Sequence, residues 1–436
     1  MSRRDLPQSR LSLRARLLLA ALRRKALTPV AMARYAQRHT TFYPRFHAGK
    51  DAADFASLPL LRKETVRDVS PYEFLSDELA RKVVWYGETT GSSGSPTPSF
   101  LTRREFRGAT LLAKVSPRHG AMTAILRENR TCVNGLAFGF TIAGMSFGDA
   151  LTNLGGLVAN VGSRSTLATP ARIARAIARL RPSIIAATPT DFLCWMRILA
   201  EDHPREVDAV RASLRMLLST AELCADARVR AIEREFDLVH VDTYACVEGF
   251  FTLACPCGEK HVLDAWHVEL FDDELRPIGP HGRGRLAFTS LVKKSTPLVR
   301  YLLDDDATVF PSSCRFGFTT SVIPHGRHEL VARVKDRRIN VREVEEAIFS
   351  VGLFGDYAAD LFDDRIEVSV EAYAAGTEGA ANAVAEKVGE AVGLPATVRI
   401  VPFGTLVEYR EPRKSKSILR LRDRRGVSSQ RVPTYV

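Results

Sequence analysis

Between Trp85 and Phe100 the chain reads WYGETTGSSGSPTPSF, which sets three glycines, seven Ser/Thr hydroxyls and two prolines in sixteen positions. Glycines permit a backbone whose N–H groups point inward, and the hydroxyls add donors. Thr89, Thr90, Gly91, Ser92, Ser93 and Gly94 are therefore suited to phosphate oxygens, although the same composition also makes surface linkers. No Gly-Lys-Ser/Thr closes the segment, so it is not a Walker loop. Three other groups carry chemistry. Asp242, Tyr244, Ala245 and Glu248 fall in one run, DTYACVE, and Asp304, Asp305 and Asp306 follow the apolar PLVRYLL. Cys255, Cys257 and His261 form a compact cluster, with Cys314 further on. Together these four make a candidate closed Zn²⁺ site of structural use, since no position stays open for water; a reduced turn without metal fits the same residues.

The elements that must position these groups read as α/β. Val83 to Tyr86 is apolar and predicts a strand, so residues 89–94 leave a sheet edge as a loop. From Pro170 the pattern alternates: helix 170–180 capped by Thr169, strand 183–188, helix 191–200, strand 214–220, helix 225–236, strand 238–243. Strands alternating with helices indicate a parallel sheet, whose ligands sit at the carboxyl ends of the strands. That places Thr220, Ala221 and Glu222, and Tyr244 to Glu248, on the ligand side. Residues 1–80 read as mostly helical, 103–115 as one helix, and 264–301 as β-rich. The stretch 132–162 is apolar and glycine-rich, with Phe138, Phe140 and Phe147 interleaved; it fits core packing, or a wall that lets backbone approach a flat ligand. Near Arg333 the chain changes character, and strand 365–373, helix 378–392 and strand 396–402 make a βαβ unit. Two domains follow, 1–332 and a small α+β domain over 333–436.

The chain has 436 residues, a net charge of +12 and seven cysteines. Its charge suits an anionic partner, but no nucleic-acid-binding motif accompanies it, so no nucleic-acid partner is expected. The odd cysteine count predicts reduced thiols and a cytoplasmic protein. No apolar run approaches a membrane span, and no membrane partner is expected. The basic N-terminus has only Leu17 to Leu22 as an apolar core, followed by Arg23 and Arg24, and reads as an amphipathic helix stopped by Pro29 rather than a secretory signal.

TTGSSGSPTP resembles the phosphate loop of adenylate-forming enzymes, and the later motifs resemble the phenylacetate-CoA ligase family within them. PLLRKE at 59–64 is similar to the segment that precedes the loop in that family. DTYACVE resembles Tyr-Gly-x-Thr-Glu, with Ala245 in place of the glycine and Val247 in place of the threonine. Thr220-Ala221-Glu222 resembles the Gly-Ala-Glu phrase that lines adenine. PLVRYLLDD at 297–305 is similar to the phrase whose aspartate, here Asp305, accepts from both ribose hydroxyls. Arg333-Val334-Lys335-Asp336 resembles the hinge phrase, and PRKSKSILR at 412–420 the terminal motif whose lysine, Lys416 or else Lys414, bridges carboxylate and α-phosphate. The resemblance implies ATP and Mg²⁺ at Glu248, a pocket built by the 134–162 region, and a large adenylating body with a mobile C-terminal domain. It also implies activation of a carboxylic acid, aromatic in the reading of the phenylalanines, as an acyl-adenylate. Transfer to the thiol of coenzyme A would follow; an amine acceptor, and a degenerate relative that binds nucleotide without turnover, are the alternatives. A homodimer is compatible with this reading.

Overall fold

The computed structural model describes residues 11–88, 97–163, 165–334, 337–373, 377–411 and 420–425. Helix α1 (Leu13–Lys25) opens on Ser12, whose hydroxyl accepts from the Ala15 N–H. Pro29 does more than end the first helical region: it opens α2 (Pro29–His39) under a Thr28 cap, because a first turn needs no N–H from proline. Only the short α3 (Phe42–Phe46) and α4 (Lys63–Arg67) follow as α-helices before residue 80, so this region is less regular than expected.

Strands β1 (Val83–Glu88) and β2 (Pro98–Thr102) pair antiparallel on either side of the phosphate-loop candidate. Residues 89–96 lie outside the described residues. The helix expected over 103–115 is two, α5 (Arg103–Phe106) and α6 (Gly108–Val115). A capping box joins Thr102 and Glu105 at the start of α5, and the second helix begins on a weak helix former, Gly108.

The alternation read from sequence is present. After α7 (His119–Glu128) come β3 (Thr131–Asn134), α8 (Ile142–Asn153), β4 (Leu157–Asn160), α9 (Pro170–Leu180) and β5 (Ile184–Ala187). The run continues with α10 (Pro189–Asp202), α11 (Val207–Ser213), β6 (Met216–Ser219), α12 (Asp226–Phe236) and β7 (Val239–Asp242). The strands form a parallel sheet in the order β4-β3-β5-β6-β7. Strands β5 and β6 are buried throughout, as expected where helices cover both faces. Thr169 and Thr188 cap α9 and α10, each followed by a proline in the first turn.

A seven-stranded antiparallel sheet packs beside it. Its members are β8 (Thr252–Ala254), β9 (Lys260–Val262), β10 (Trp266–Phe271), β11 (Pro277–Gly279), β12 (Gly282–Ser290), β13 (Tyr301–Pro311) and β14 (Thr320–Arg327), in the order β11-β10-β12-β13-β14-β9-β8. Phe251, Trp266, Phe288 and Tyr301 fill its core together with Met32, Ala33 and Ala36 of α2. No described helix is long and apolar enough to cross a membrane.

The C-terminal part holds β15 (Ala332–Val334), β16 (Arg337–Ile339), α13 (Val341–Val351), β17 (Phe354–Leu361), β18 (Ile366–Ala372), α14 (Ala381–Val392), β19 (Ala396–Val401) and β20 (Leu421–Asp423). The expected βαβ unit is β18-α14-β19, with its two strands parallel. Strands β17 and β20 complete a sheet in the order β19-β18-β17-β20. One apolar cluster runs from Ile173, Phe192 and Phe236 to Phe349, Phe354 and Val370, so the two parts share a buried boundary.

Candidate active site

Parallel strands β6 and β7 deliver the 220–222 and 243–248 segments from their carboxyl ends, and the antiparallel sheet brings β13 against the second of these. The Tyr244 hydroxyl donates to Asp305 Oδ2 at 2.5 Å. Burial, with Asp305 adding to it, holds the Tyr244 pKa well above its ordinary value, so it is a neutral donor. Arg327, the register partner of Asp305 on β14, lies 3.4 Å from the same carboxylate, which raises the arginine's pKa. Residues 304–306 lie in strand β13, and each acid has its own cation. Arg285 reaches Asp304 at 2.7 Å, and Arg283 and Arg338 reach the buried Asp306 at 3.0 and 3.1 Å.

Glu248 is 2% exposed, and its Oε1 accepts from the Tyr301 hydroxyl at 2.7 Å. Among the described residues no ammonium or guanidinium ion-pairs with it. A buried carboxylate in the company of the Tyr301 hydroxyl and the Cys246 thiol is a fit for a hard cation such as Mg²⁺. Its backbone is held by Lys293, which sequence reasoning passed over. Lys293, 4% exposed, donates to the Glu248 carbonyl at 2.9 Å and to Ser99 Oγ at 2.6 Å, and burial lowers its pKa. Ser99 lies on β2, the strand that returns from residues 89–96. Neighbours of Lys293 dock the same strand: Ser295 Oγ donates to the Phe100 carbonyl at 2.8 Å, and Phe100 N–H donates to Thr296 Oγ1 at 3.0 Å. A lysine pair between an apolar strand and PLVRY was the available signal.

The 59–64 phrase also arrives here. Leu61 pairs with β13, its N–H donating to the Arg300 carbonyl at 2.9 Å. That sets Lys63 so that its buried Nζ donates to the Leu303 carbonyl at 2.5 Å. Burial first, then Arg327, lowers the Lys63 pKa, with Asp305 opposing. Arg300 and Ala221 hold φ of 50° and 70°, left-handed backbone that non-glycine residues adopt at a cost of about 1–3 kcal/mol. Arg300 is held there by its guanidinium, which donates to the Ala56 and Leu58 carbonyls at 2.5 Å each.

Several expected residues sit otherwise than their motifs suggest. The Glu222 carboxylate accepts from the N–H of Thr190 at 3.0 Å and from its hydroxyl at 2.5 Å, and pairs with Arg420 and Arg228. Its charge is thus consumed inside the protein. Asp242 pairs with Lys260 at 3.0 Å and accepts from Ser219 Oγ at 2.8 Å. It borders a cavity of about 430 Å³ between α12, β7 and the β8–β9 turn, which does not include Tyr244, Glu248 or Asp305. Arg333 lies on β15 and pairs with Asp273 of the β10–β11 turn. Phe138 and Phe140 are 40% and 64% exposed, and the Phe140 carbonyl accepts from the Glu88 N–H at 2.9 Å, so they stand where β1 enters the phosphate-loop candidate. Phe147 is instead 9% exposed, in a cluster with Leu136 and Leu151. The glycines here serve packing: a Cβ on Gly135 would lie 2.1 Å from the Trp195 ring. Ala245 is half-buried. Cys255, Cys257, His261 and Cys314 converge, their ligand atoms all within 4.8 Å of one another. Residues 89–94, Lys335, Asp336, Lys414 and Lys416 lie outside the described residues.

No family model matches the chain. It is 23% identical over 336 residues to the phenylacetate-coenzyme A ligase of Pseudomonas putida, which covers 73% of each chain. To the Aromatoleum evansii phenylacetate-coenzyme A ligase it is 24% identical over 315 residues, 69% of this chain and 67% of that one. Its fold is similar to the crystal structure of 2-hydroxyisobutyryl-CoA ligase in the postadenylation state, with a TM-score of 0.71 at 16% identity over 95% of this chain and 91% of that chain. The same ligase in the thioesterification state gives 0.56 at 18% identity, over 96% and 92%. Sequence similarity over more than two thirds of the length, on top of motifs in the family's order, makes the chain similar to phenylacetate-CoA ligases, and its fold is that of 2-hydroxyisobutyryl-CoA ligase.

Proposed function

We propose that the chain is an AMP-forming acid–CoA ligase. One carboxylate oxygen of the acid attacks the α-phosphorus of ATP, the bond to the β-phosphate oxygen breaks, and pyrophosphate leaves. The coenzyme A sulfur then attacks the acyl carbon, losing its proton, and AMP departs with the former carboxylate oxygen. The observation that carries this reading is the junction at Lys293, which ties Glu248 to the strand returning from the phosphate-loop candidate. It sets a cation-type carboxylate against the strand that follows the phosphate-loop candidate, and Tyr244, bonded to Asp305, lies on the same segment as Glu248.

In this reading residues 89–94 and Ala221 cradle the nucleotide, and Asp305, held in orientation by Tyr244 and Arg327, accepts from the ribose hydroxyls. Glu248 would hold Mg²⁺, which when bound offsets charge on the α-phosphate. Lys416 supplies positive charge where negative charge develops. Phe138 and Phe140, exposed beside the loop's entry, offer apolar faces to an aromatic acid. Residues 333–436 act as the mobile domain, turning about Lys335 and Asp336 between the two half-reactions.

The test is pyrophosphate–ATP exchange with aryl, arylacetic, fatty and amino acids, without acceptor, followed by thiol or amine addition. Exchange with one acid and AMP release on adding coenzyme A is the expected result, with exchange lost in Lys416→Ala while MgATP still binds. Exchange followed by amide rather than thioester formation would replace coenzyme A with an amine. MgATP binding with no exchange across the panel would leave a nucleotide-binding relative without this activity.

A further inference from the structure

The strongest unassigned chemistry lies away from the reacting groups, where the β8–β9 turn meets the β13–β14 turn. Cys255 Sγ and Cys257 Sγ each lie 3.7 Å from Cys314 Sγ, and Cys257 Sγ lies 3.4 Å from His261 Nε2. Zinc bonds of about 2.3 Å to sulfur and about 2.0–2.1 Å to nitrogen, arranged tetrahedrally, give edges of about 3.8 Å between sulfurs and about 3.5 Å from sulfur to nitrogen. These three edges match that polyhedron rather than a disulfide, whose sulfurs are about 2.05 Å apart.

The surroundings of His261 are those of a metal ligand. Its Nδ1 lies 2.8 Å from Ser321 Oγ, and that hydroxyl donates to Glu259 Oε2 at 2.7 Å, leaving its lone pairs for the imidazole N–H. Ser312 Oγ donates to the same Glu259 oxygen at 2.6 Å. The chain of bonds puts the imidazole proton on Nδ1 and turns the Nε2 lone pair toward the three sulfurs, the arrangement that outer partners impose on zinc-bound histidines. Phe318 stacks on the ring at 4.7 Å, fixing its plane. The Phe316 N–H donates to Cys314 Sγ at 3.5 Å.

We infer that Cys255, Cys257, His261 and Cys314 bind one Zn²⁺ as a closed structural site. Three sulfurs and an imidazole select a borderline-soft ion over Mg²⁺ or Ca²⁺, and four protein ligands leave no coordination position for a substrate. The ion staples two turns that the sheet itself joins weakly, since β9 meets β14 at the single pair His261–Ser321. Both strands served by the staple lead to the candidate active site. Lys260, next to His261, pairs with Asp242, and the Thr252 hydroxyl on β8 donates to the Tyr244 carbonyl. This inference stands whether or not the ligase reading does.

The test uses the full chain, purified without chelators, and elemental analysis. The expected result is one zinc per chain, with none retained in the Cys257→Ser, Cys314→Ser double variant. Ser321→Ala should weaken zinc affinity by about tenfold, measured by chelator competition, because it removes only the outer partner. Chelation should lower the melting temperature, with Zn²⁺ restoring it and Mg²⁺ not. Should the double variant fail to fold, Co²⁺ in the wild-type chain decides: thiolate-to-cobalt charge transfer with tetrahedral visible bands supports the site. Zinc below one per chain with no thermal response to added Zn²⁺, zinc kept by a folded double variant, or octahedral cobalt spectra would each overturn it.

Discussion

Lys293 joins two parts of the candidate site through one side chain. Its ammonium is buried and spends hydrogen bonds on Ser99 and on the Glu248 carbonyl, so it positions the phosphate-loop flank against the cation-type carboxylate. Lys293→Met would leave both acceptors buried and unpaired, at a cost of about 1–3 kcal/mol in stability. The expected kinetic result is a fall in kcat with little change in the KM for ATP, and no rescue by Lys293→Arg, whose planar guanidinium cannot occupy a point-charge site. Asp305→Ala should do the reverse. Loss of charged hydrogen bonds worth about 1.5–3 kcal/mol predicts a KM for ATP raised about 10- to 100-fold with kcat less affected. Initial-rate kinetics of pyrophosphate exchange separate the two roles, and a pair of variants with the same profile would remove the distinction.

At the scale of elements, β7 carries a pH dependence as well as Asp242. His240 is buried on that strand with Nε2 2.7 Å from Ser219 Oγ, and burial lowers its pKa from 6.5 to about 4. The unfolded chain therefore binds a proton that the folded one refuses between those values, so this group's stabilisation is complete above about 6.5 and is lost as pH falls toward 4. The limit is about 3 kcal/mol for this residue, and His47, lowered to about 4, acts in the same direction. Urea unfolding at pH 7 and pH 5 should show the loss at pH 5, and a His240→Gln chain a shallower dependence; equal slopes would exclude His240. The parallel layer that carries β7 was legible because its cues are local: threonine caps, first-turn prolines and unbroken apolar strands. What was not legible depends on pairing across the chain. Asp305 meets Tyr244 and Arg327, and Lys293 meets Ser99, only through the antiparallel sheet. Phe147 and Gly135 fall in a stretch that fits either core packing or a ligand wall, and only their neighbours Leu151 and Trp195 show that they pack. Glu222 looked free for adenine because its partner Arg420 lies 198 residues away.

Across the whole molecule the question is what a turning C-terminal domain would have to break. Arg228 and Arg420, both buried, face Glu222, Glu345 and Asp356, and these five charges span the boundary between α12 and the β17 region. Burial raises the Glu345 pKa against the pull of both arginines, so the carboxylate depends on them for its charge. Removing one member of such a set costs about 3–5 kcal/mol because the rest stay buried and unmatched, whereas moving the whole domain can return all five to water. A rotation is thus compatible with the network, while point loss is not. At the rim Asp226 of α12 reaches Arg342 of α13 at 2.6 Å, and the Ala227 N–H donates to Glu346 at 2.9 Å, so these helix starts are joined through long side chains. Asp226→Cys with Arg342→Cys, oxidised in the presence of a short dithiol that spans the lost arginine length, would fix the present arrangement. If the second half-reaction needs the turn, the locked chain should keep pyrophosphate exchange and lose thioester formation, and dithiothreitol should restore it, with the wild-type chain unaffected by the same oxidation. Thioester formation by the locked chain at the reduced rate would show that both half-reactions run in one arrangement, and that the shared core between the two parts is permanent.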